Sequence, residues 1–173
     1  MFHRYLSKMY DIPSYIYIIG IILAIFLWAY LAYLHQDKRK WHICNRVILG
    51  LTLFAILFIT ILVRPKQQTG FYLNPMYAFE LAKEFPDVYN QMVLNVVLFL
   101  PMGMTIPYAF KCRFPIVLTL SVSFLYTLVI EFLQYFLSRG YFEVGDLILN
   151  FTGSLIGAGS YLIYKNMHKY IQK

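Results

Sequence analysis

Charged residues are scarce in this chain, and their scarcity sets the class of protein before any motif is considered. Only 13% of the 173 residues are charged, whereas 60% are apolar. Soluble globular domains carry about 25% charged and about 45–50% apolar residues. A soluble domain is therefore excluded. A transmembrane barrel is excluded as well, because the apolar runs are continuous and do not alternate.

Signatures of known catalytic chemistry are also missing. The chain has no Gly-x-Ser-x-Gly motif, no Cys/His pair and no His-rich metal signature. A serine nucleophile needs a base, and none lies near the candidate serines in the sequence. These serines are Ser121, Ser123, Ser138 and Ser154. We therefore predict no cofactor, and the sequence leaves open whether the protein is an enzyme.

What the chain does contain is a set of apolar runs, each long enough to cross a hydrocarbon core of about 30 Å. They predict an all-α, polytopic transmembrane helical bundle that forms one membrane domain over residues 1–173. The five predicted spans are Ser14–Leu34, Ile43–Val63, Met92–Phe110, Phe114–Leu137 and Leu147–Tyr164.

The distribution of charge predicts the orientation of these spans. One side of the membrane receives nine Lys and Arg residues and one acidic residue, Asp37, whereas the other receives six basic and six acidic residues. The positive-inside rule then places the N-terminus outside and the C-terminus in the cytoplasm. Arg4 and Lys8 argue for the reverse orientation at the first span. We expect a multi-pass protein of a bacterial plasma membrane, with the lipid bilayer as its partner.

This topology explains the remaining basic and sulfur-containing residues. The cations lie beside span ends, where topology and anionic lipid account for them, so nucleic-acid binding is not expected. Cys44 and Cys112 both fall on the predicted cytoplasmic side, where a structural disulfide is rare. The four histidines lie in tails and loops without ligand spacing, so no metal site is predicted.

The loop from Arg64 to Gln91 is the only long connection between predicted spans. It is rich in aromatic residues and carries three prolines, and its Met76–Glu84 segment is predicted to form a short helix. Aromatic residues among scattered charges suit the headgroup level of a membrane. We expect the loop to lie on the outer leaflet.

Polar side chains recur at one depth of three spans, beneath the predicted outer surface. Glu131 is the most informative, because a carboxylate costs about 2.5–3.5 kcal/mol at the centre of a bilayer. Arg64 ends the second span and Arg139 begins the last outer loop, so both are candidate partners for Glu131. The polar layer consists of Asn95, Glu131, Gln134 and Asn150, with Asp146 at the start of the fifth span.

Helical spacing orients this layer. Thr127, Glu131 and Gln134 share one face of the fourth span. Gly153 and Gly157 form a small-xxx-small pair that favours close helix packing. Pro101 predicts a kink in the third span that would open a pocket under the outer loop. The amides of the layer also fit ordinary hydrogen bonding between helices.

Together these residues resemble the VanZ-like membrane protein family over about residues 64–160. The matching segments are NVVLFLPMG at 95–103, EFLQ at 131–134, RGYFEVGD at 139–146 and LILNFTG at 147–153, with Arg64 upstream. The resemblance implies an association with reduced susceptibility to teicoplanin-type lipoglycopeptides in Gram-positive bacteria. Many family members carry no such role, and the resemblance implies no ligase that rewrites the peptidoglycan stem.

One segment departs from the family pattern. The family commonly has Phe-Asp-x-Asp-Asp before the last span, whereas this chain has Phe142-Glu143-Val144-Gly145-Asp146. Gly145 removes one carboxylate, which argues against a divalent-cation site built from three of them. We expect Glu143 in an exposed loop.

Three functions remain open. The first is a binding module whose polar pocket holds an amphiphile, such as a lipoglycopeptide or a lipid-linked cell-wall precursor. The second is an enzyme in which Glu131 and Asp146 are the candidate acid–base pair and an arginine holds a phosphate. The third is a transporter or structural partner subunit, although no inverted repeat is present. The candidate ligand-binding residues are Arg64, Asn95, Glu131, Gln134, Arg139, Asp146 and Asn150.

Overall fold

The computed structural model describes residues 38–171 as a helical bundle, so the predicted first span, Ser14–Leu34, lies outside the described residues. Two short strands connect the helices at one end of the bundle. In chain order the elements are α1 (Lys38–Leu57), which continues as a π-helical turn (Phe58–Leu62), β1 (Phe71–Tyr72), α2 (Tyr77–Glu84), α3 (Pro86–Ala109), α4 (Pro115–Phe136), β2 (Phe142–Glu143) and α5 (Val144–Ile171).

The helices confirm the predicted all-α class. Three of them are long and apolar enough to cross a membrane within residues 38–171, namely Arg39–Leu62, Pro86–Ala109 and Pro115–Phe136. The predicted fifth span lies inside α5. The number of spans and the orientation of the N-terminus stay predictions.

The distribution of exposed side chains fits a lipid environment. α1 and α4 carry large apolar residues on their outer faces, which a soluble helix would turn inward. Examples on α1 are Val47, Leu51, Phe54, Phe58 and Leu62, and examples on α4 are Val117, Leu125, Val129, Phe132 and Phe136.

α3 is the central helix and packs against α1, α4 and α5. Its contact with α5 depends on glycine, because a Cβ at Gly153 would lie 2.1 Å from the Val96 carbonyl oxygen, and one at Gly157 would lie 2.2 Å from that of Leu100. A Cβ at Gly103 would likewise lie 2.1 Å from the Ser154 oxygen. The predicted close packing at the small residues is confirmed.

The boundaries of α3 differ from the prediction at its start. The helix begins at Pro86, six residues before the predicted Met92, because proline is favoured in the first turn of a helix. It then continues through Pro101 and Pro107 to Ala109. Thr105 Oγ1 donates to the Pro101 carbonyl at 2.8 Å inside this proline-containing stretch.

At the other end of α3, side chains of α1 satisfy its last carbonyls. His42 Nδ1 contacts the Tyr108 oxygen at 2.5 Å, and Arg46 Nε donates to the Ala109 oxygen at 3.0 Å. Trp41 packs edge-on against the Tyr108 ring at 5.2 Å between centroids. These contacts fix α1 against α3 far from the polar layer.

The end of α4 directs the chain into the second strand. Ser138 has a left-handed backbone with φ of 55°, its N–H donates to the Tyr135 oxygen, and the Arg139 N–H donates to the Gln134 oxygen. This pair of bonds is the Schellman motif that commonly ends a helix. The chain then runs into β2, which pairs with β1 in parallel, Phe71 opposite Phe142.

The segment before β1 is therefore fastened to the connection between α4 and α5. The Gln67 N–H donates to the Ser138 oxygen at 2.8 Å, and the Phe142 N–H donates to the Gly70 oxygen at 2.9 Å. Aromatic rings pack over this pairing, with Phe71 4.5 Å from Tyr135 and Tyr72 4.8 Å from Tyr141 between centroids. The predicted short helix within the loop is confirmed as α2.

Candidate functional site

A small polar cavity lies between α1, α3, α4 and α5, at the end of the bundle where the two strands pair. Its volume is about 30 Å³, which is enough for one or two water-sized groups. Six of the seven candidate ligand-binding residues line it, together with Thr60, Gln91 and apolar neighbours. Those six are Arg64, Asn95, Glu131, Gln134, Asp146 and Asn150. We call this cavity the polar pocket.

Glu131 is the most deeply buried ionisable side chain of the pocket wall, with 1% of its surface exposed. Its Oε2 accepts a hydrogen bond from the Glu143 backbone N–H at 2.9 Å. The Arg64 guanidinium acts on it as an opposite charge, and Asp146 and Glu143 act as like charges. Glu131 therefore joins the end of α4 to the strand that leads into α5.

The two candidate arginines have different positions. Arg64 lines the pocket, and its Nη1 would lie 2.9 Å from a Cβ built on Gly140. Arg139 is not among the lining residues. Its Nη1 donates to the Arg64 carbonyl, where a cation suits the carboxyl end of α1. Arg139 thus contacts the backbone of Arg64, and its role in ligand binding stays a prediction.

Asp146 enters the pocket from the first turn of α5. The Asn95 side chain of α3 lines the same cavity and interacts with the Asp146 carboxylate. A negative charge near the start of a helix is favourable, because the exposed N–H groups carry partial positive charge. α5 and α3 thus present polar side chains to the same cavity.

Glu143 does not lie in an exposed loop as expected. It is half-buried in β2, and burial with the nearby Asp146 charge raises the pKa of its carboxyl from 4.5 to about 7, while Arg64 opposes the shift. The loop expectation was wrong because the pairing of β2 with β1 fastens this residue against the end of the bundle.

Two buried amides contribute unpaired acceptors to the pocket wall. Gln134 is 3% exposed, and its Nε2 donates to the Thr60 carbonyl at 3.3 Å. Asn150 is 4% exposed, and its Nδ2 donates to Thr127 Oγ1 at 2.7 Å. The Oε1 of Gln134 and the Oδ1 of Asn150 have no hydrogen-bond partner within residues 38–171.

Gly145, which stands where the family pattern has an acidic residue, lies close to the start of α2. A Cβ at Gly145 would lie 3.4 Å from the Pro75 oxygen and 3.6 Å from Ala78 Cβ. A longer side chain there would meet the start of α2. In the described part of the chain, no three His, Cys, Asp or Glu side chains are grouped so that they could hold a metal ion.

Sequence reasoning missed two polar residues of the pocket wall, Thr60 and Gln91. Both stand one helical turn from a residue that was found, since Thr60 precedes Arg64 by four positions and Gln91 precedes Asn95 by four. That i, i+4 spacing places each pair on one helix face. A search one turn back from each candidate would have identified them.

Comparison with known proteins gives one family match. The family model described as VanZ/LLP1 matches residues 14–165, which is most of the chain and extends further toward the N-terminus than the recognised motifs. No curated protein and no solved structure matches.

Proposed function

This chain belongs to the VanZ/LLP1 family, and from that premise we propose that it is a membrane binding protein for an amphiphilic cell-envelope molecule. A small polar group on the head of the ligand would enter the polar pocket, and its acyl chain would lie along the apolar helix faces. Candidate ligands are a lipoglycopeptide and a lipid-linked cell-wall precursor. Sequestering or shielding such a molecule would lower susceptibility to teicoplanin-type lipoglycopeptides.

The observation that carries this proposal is the convergence of polar groups from four separate segments of the chain on one cavity. Buried polar groups within a membrane helix are costly and are retained mainly where they serve a site. Here Asn95, Glu131 and Asp146 reach the same cavity from α3, α4 and α5, and Arg64 reaches it from the segment that follows the π-helical turn. The surrounding faces of α1 and α4 are apolar, which suits a ligand with both a polar head and a lipid chain.

Photo-crosslinking tests the proposal directly. Purified protein in nanodiscs is irradiated with a diazirine derivative of teicoplanin or of a lipid-linked cell-wall precursor, and labelled peptides are mapped by mass spectrometry. We expect labels on peptides that line the pocket and weaker labelling in Asp146→Asn. Glu80→Gln is the matched control, because it removes an exposed carboxylate of α2. Labelling that is even over all lipid-facing helices, or unaffected by Asp146→Asn, would refute binding at the pocket.

A membrane enzyme is the second candidate, because Glu131 and Asp146 lie close enough to influence each other electrostatically. Paired carboxylates in different environments suit general acid–base chemistry. The enzyme hypothesis predicts a new product when the protein is incubated with a lipid-linked precursor. If mass spectrometry shows that the precursor is unchanged while crosslinking is retained, the enzyme hypothesis is rejected and the binding function remains.

A further inference from the structure

The polar pocket carries acidic side chains and amide oxygens that can accept hydrogen bonds. Two carboxylates line it, Glu131 and Asp146, and Arg64 is the one cationic side chain among its lining residues. Glu143 adds a third carboxyl close by, since it acts electrostatically on Glu131. Two acidic side chains therefore face one guanidinium among the lining residues.

Two amides add further acceptors. Gln134 uses its Nε2 to hold the Thr60 carbonyl, so its Oε1 is left as an acceptor at the pocket wall. The Thr60 carbonyl belongs to the π-helical turn near the end of α1, where no further helical turn supplies an N–H. This contact fixes the orientation of the Gln134 amide, because only its nitrogen can donate to a carbonyl.

Asn150 repeats the arrangement on α5. Its Nδ2 donates to Thr127, and its Oδ1 has no partner among the described residues. Both amide oxygens are almost fully buried, and a buried acceptor without a donor costs free energy. The pocket therefore lacks donors at two defined positions, and the grouping of its acidic side chains does not suit a metal ion.

We propose that the pocket binds a primary ammonium group, with carboxylates supplying the charge and the Gln134 and Asn150 oxygens accepting its hydrogen bonds. An ammonium has three donors and no acceptor, which complements this wall. Its size matches a cavity of about 30 Å³. A trimethylated ammonium has no donors and is too large. This inference rests on the proposed function and specifies the chemistry of the ligand head.

Two sources could supply the ammonium, an aminolipid headgroup in the bilayer or a soluble amine. The lipid arm compares diazirine-labelled phosphatidylethanolamine with diazirine-labelled phosphatidylcholine in nanodiscs. We expect pocket peptides to be labelled roughly tenfold more by the primary amine, which corresponds to the loss of one charge-assisted hydrogen bond in the trimethylated lipid. Asp146→Asn should reduce this preference, whereas Glu80→Gln should leave it unchanged.

The soluble arm adds butylammonium or its trimethylated analogue as competitor against the phosphatidylethanolamine probe. Competition by butylammonium alone identifies the amine as sufficient, whereas preference without competition assigns the ligand to the lipid headgroup. Equal labelling by the two lipids together with no effect of butylammonium on labelling or on the Tm would overturn the ammonium proposal. That result would leave the proposed function standing if the teicoplanin or precursor probe still labels the pocket.

Discussion

Glu131 combines a structural contact with a position at the proposed site, and its two carboxyl oxygens allow the roles to be separated. Oε2 accepts the Glu143 N–H, which holds the start of α5 against the end of α4. A glutamine can keep this bond through its Oε1, whereas a leucine cannot. The negative charge, in contrast, is lost in both variants.

We therefore expect Glu131→Gln to be expressed and folded normally but to lose whatever protection against teicoplanin the protein confers. Glu131→Leu should also lower the free energy of unfolding by about 1–3 kcal/mol, because the Glu143 N–H loses its acceptor. Expression is measured by fluorescence-detected chromatography and protection by minimal inhibitory concentration. If Glu131→Gln retains protection, the role of Glu131 is structural and its charge is not needed for protection.

Glu143 gives a prediction on pH. Burial and the Asp146 charge raise the pKa of its carboxyl from 4.5 to about 7 in the folded protein, so the folded state binds the proton more tightly than the unfolded state. This contribution to stability is complete below the unfolded pKa and is lost as pH rises through the folded pKa. Glu143→Gln removes this dependence.

The measurement is the Tm of purified protein in detergent at pH values below and above the pKa of Glu143. The wild type should lose on the order of a few °C more than Glu143→Gln as pH rises from about 5 to about 8. The comparison between the two proteins isolates Glu143 from other buried carboxyls. Identical pH profiles would show that Glu143 is not held in its protonated form.

At the scale of helices, the α3–α5 crossing sets the position of the pocket. Gly153→Ala should destabilise the protein by about 1–3 kcal/mol, because the new Cβ would overlap the Val96 carbonyl oxygen. Gly159 provides the matched control on the same helix, since a Cβ there meets nothing within 4 Å. Gly159→Ala should gain about 0.5–1 kcal/mol from the helix preference of alanine. Thermal unfolding in detergent measures both, and equal effects would contradict the close crossing.

The same helices show what the sequence could predict. Apolar runs of spanning length identified α1, α3 and α4, because burial in lipid leaves a continuous signal along the chain. Depth and helical spacing likewise predicted that Asn95, Glu131 and Asn150 would approach one another, and all three line one cavity. The start of α3 at Pro86 was missed, because the first turn of that helix is polar and carries Asp87.

Contacts made by backbone atoms could not be predicted from the sequence. The pairing of β1 with β2 involves only two residues on each strand, so no alternating pattern announces it. That pairing buries Glu143 and gives Glu131 its backbone donor. Arg139 was assigned to the pocket from its position at the end of the fourth span. Its guanidinium instead follows the Arg64 carbonyl, a direction that depends on the backbone at Ser138.

For the whole molecule, the orientation in the membrane decides whether the polar pocket opens toward the cell envelope. The charge distribution predicts that the loop between α3 and α4 is cytoplasmic and that α2 is external. Cys112 lies exposed in that loop, and Cys44 is partly buried within α1. Accessibility of Cys112 to an impermeant reagent therefore reports the orientation of the bundle.

In a Cys44→Ser background, an impermeant maleimide should fail to label Cys112 in intact cells and should label it after the membrane is permeabilised. Glu80→Cys in a background without native cysteines is the opposite control, because its side chain is exposed on α2 and should react in intact cells. If Cys112 reacts in intact cells and Glu80→Cys is protected, the bundle has the opposite orientation in the membrane. The polar pocket would then face the cytoplasm, where a lipoglycopeptide acting at the cell surface could not reach it, and the ligand would have to be an inner-leaflet lipid or a cytoplasmic amine.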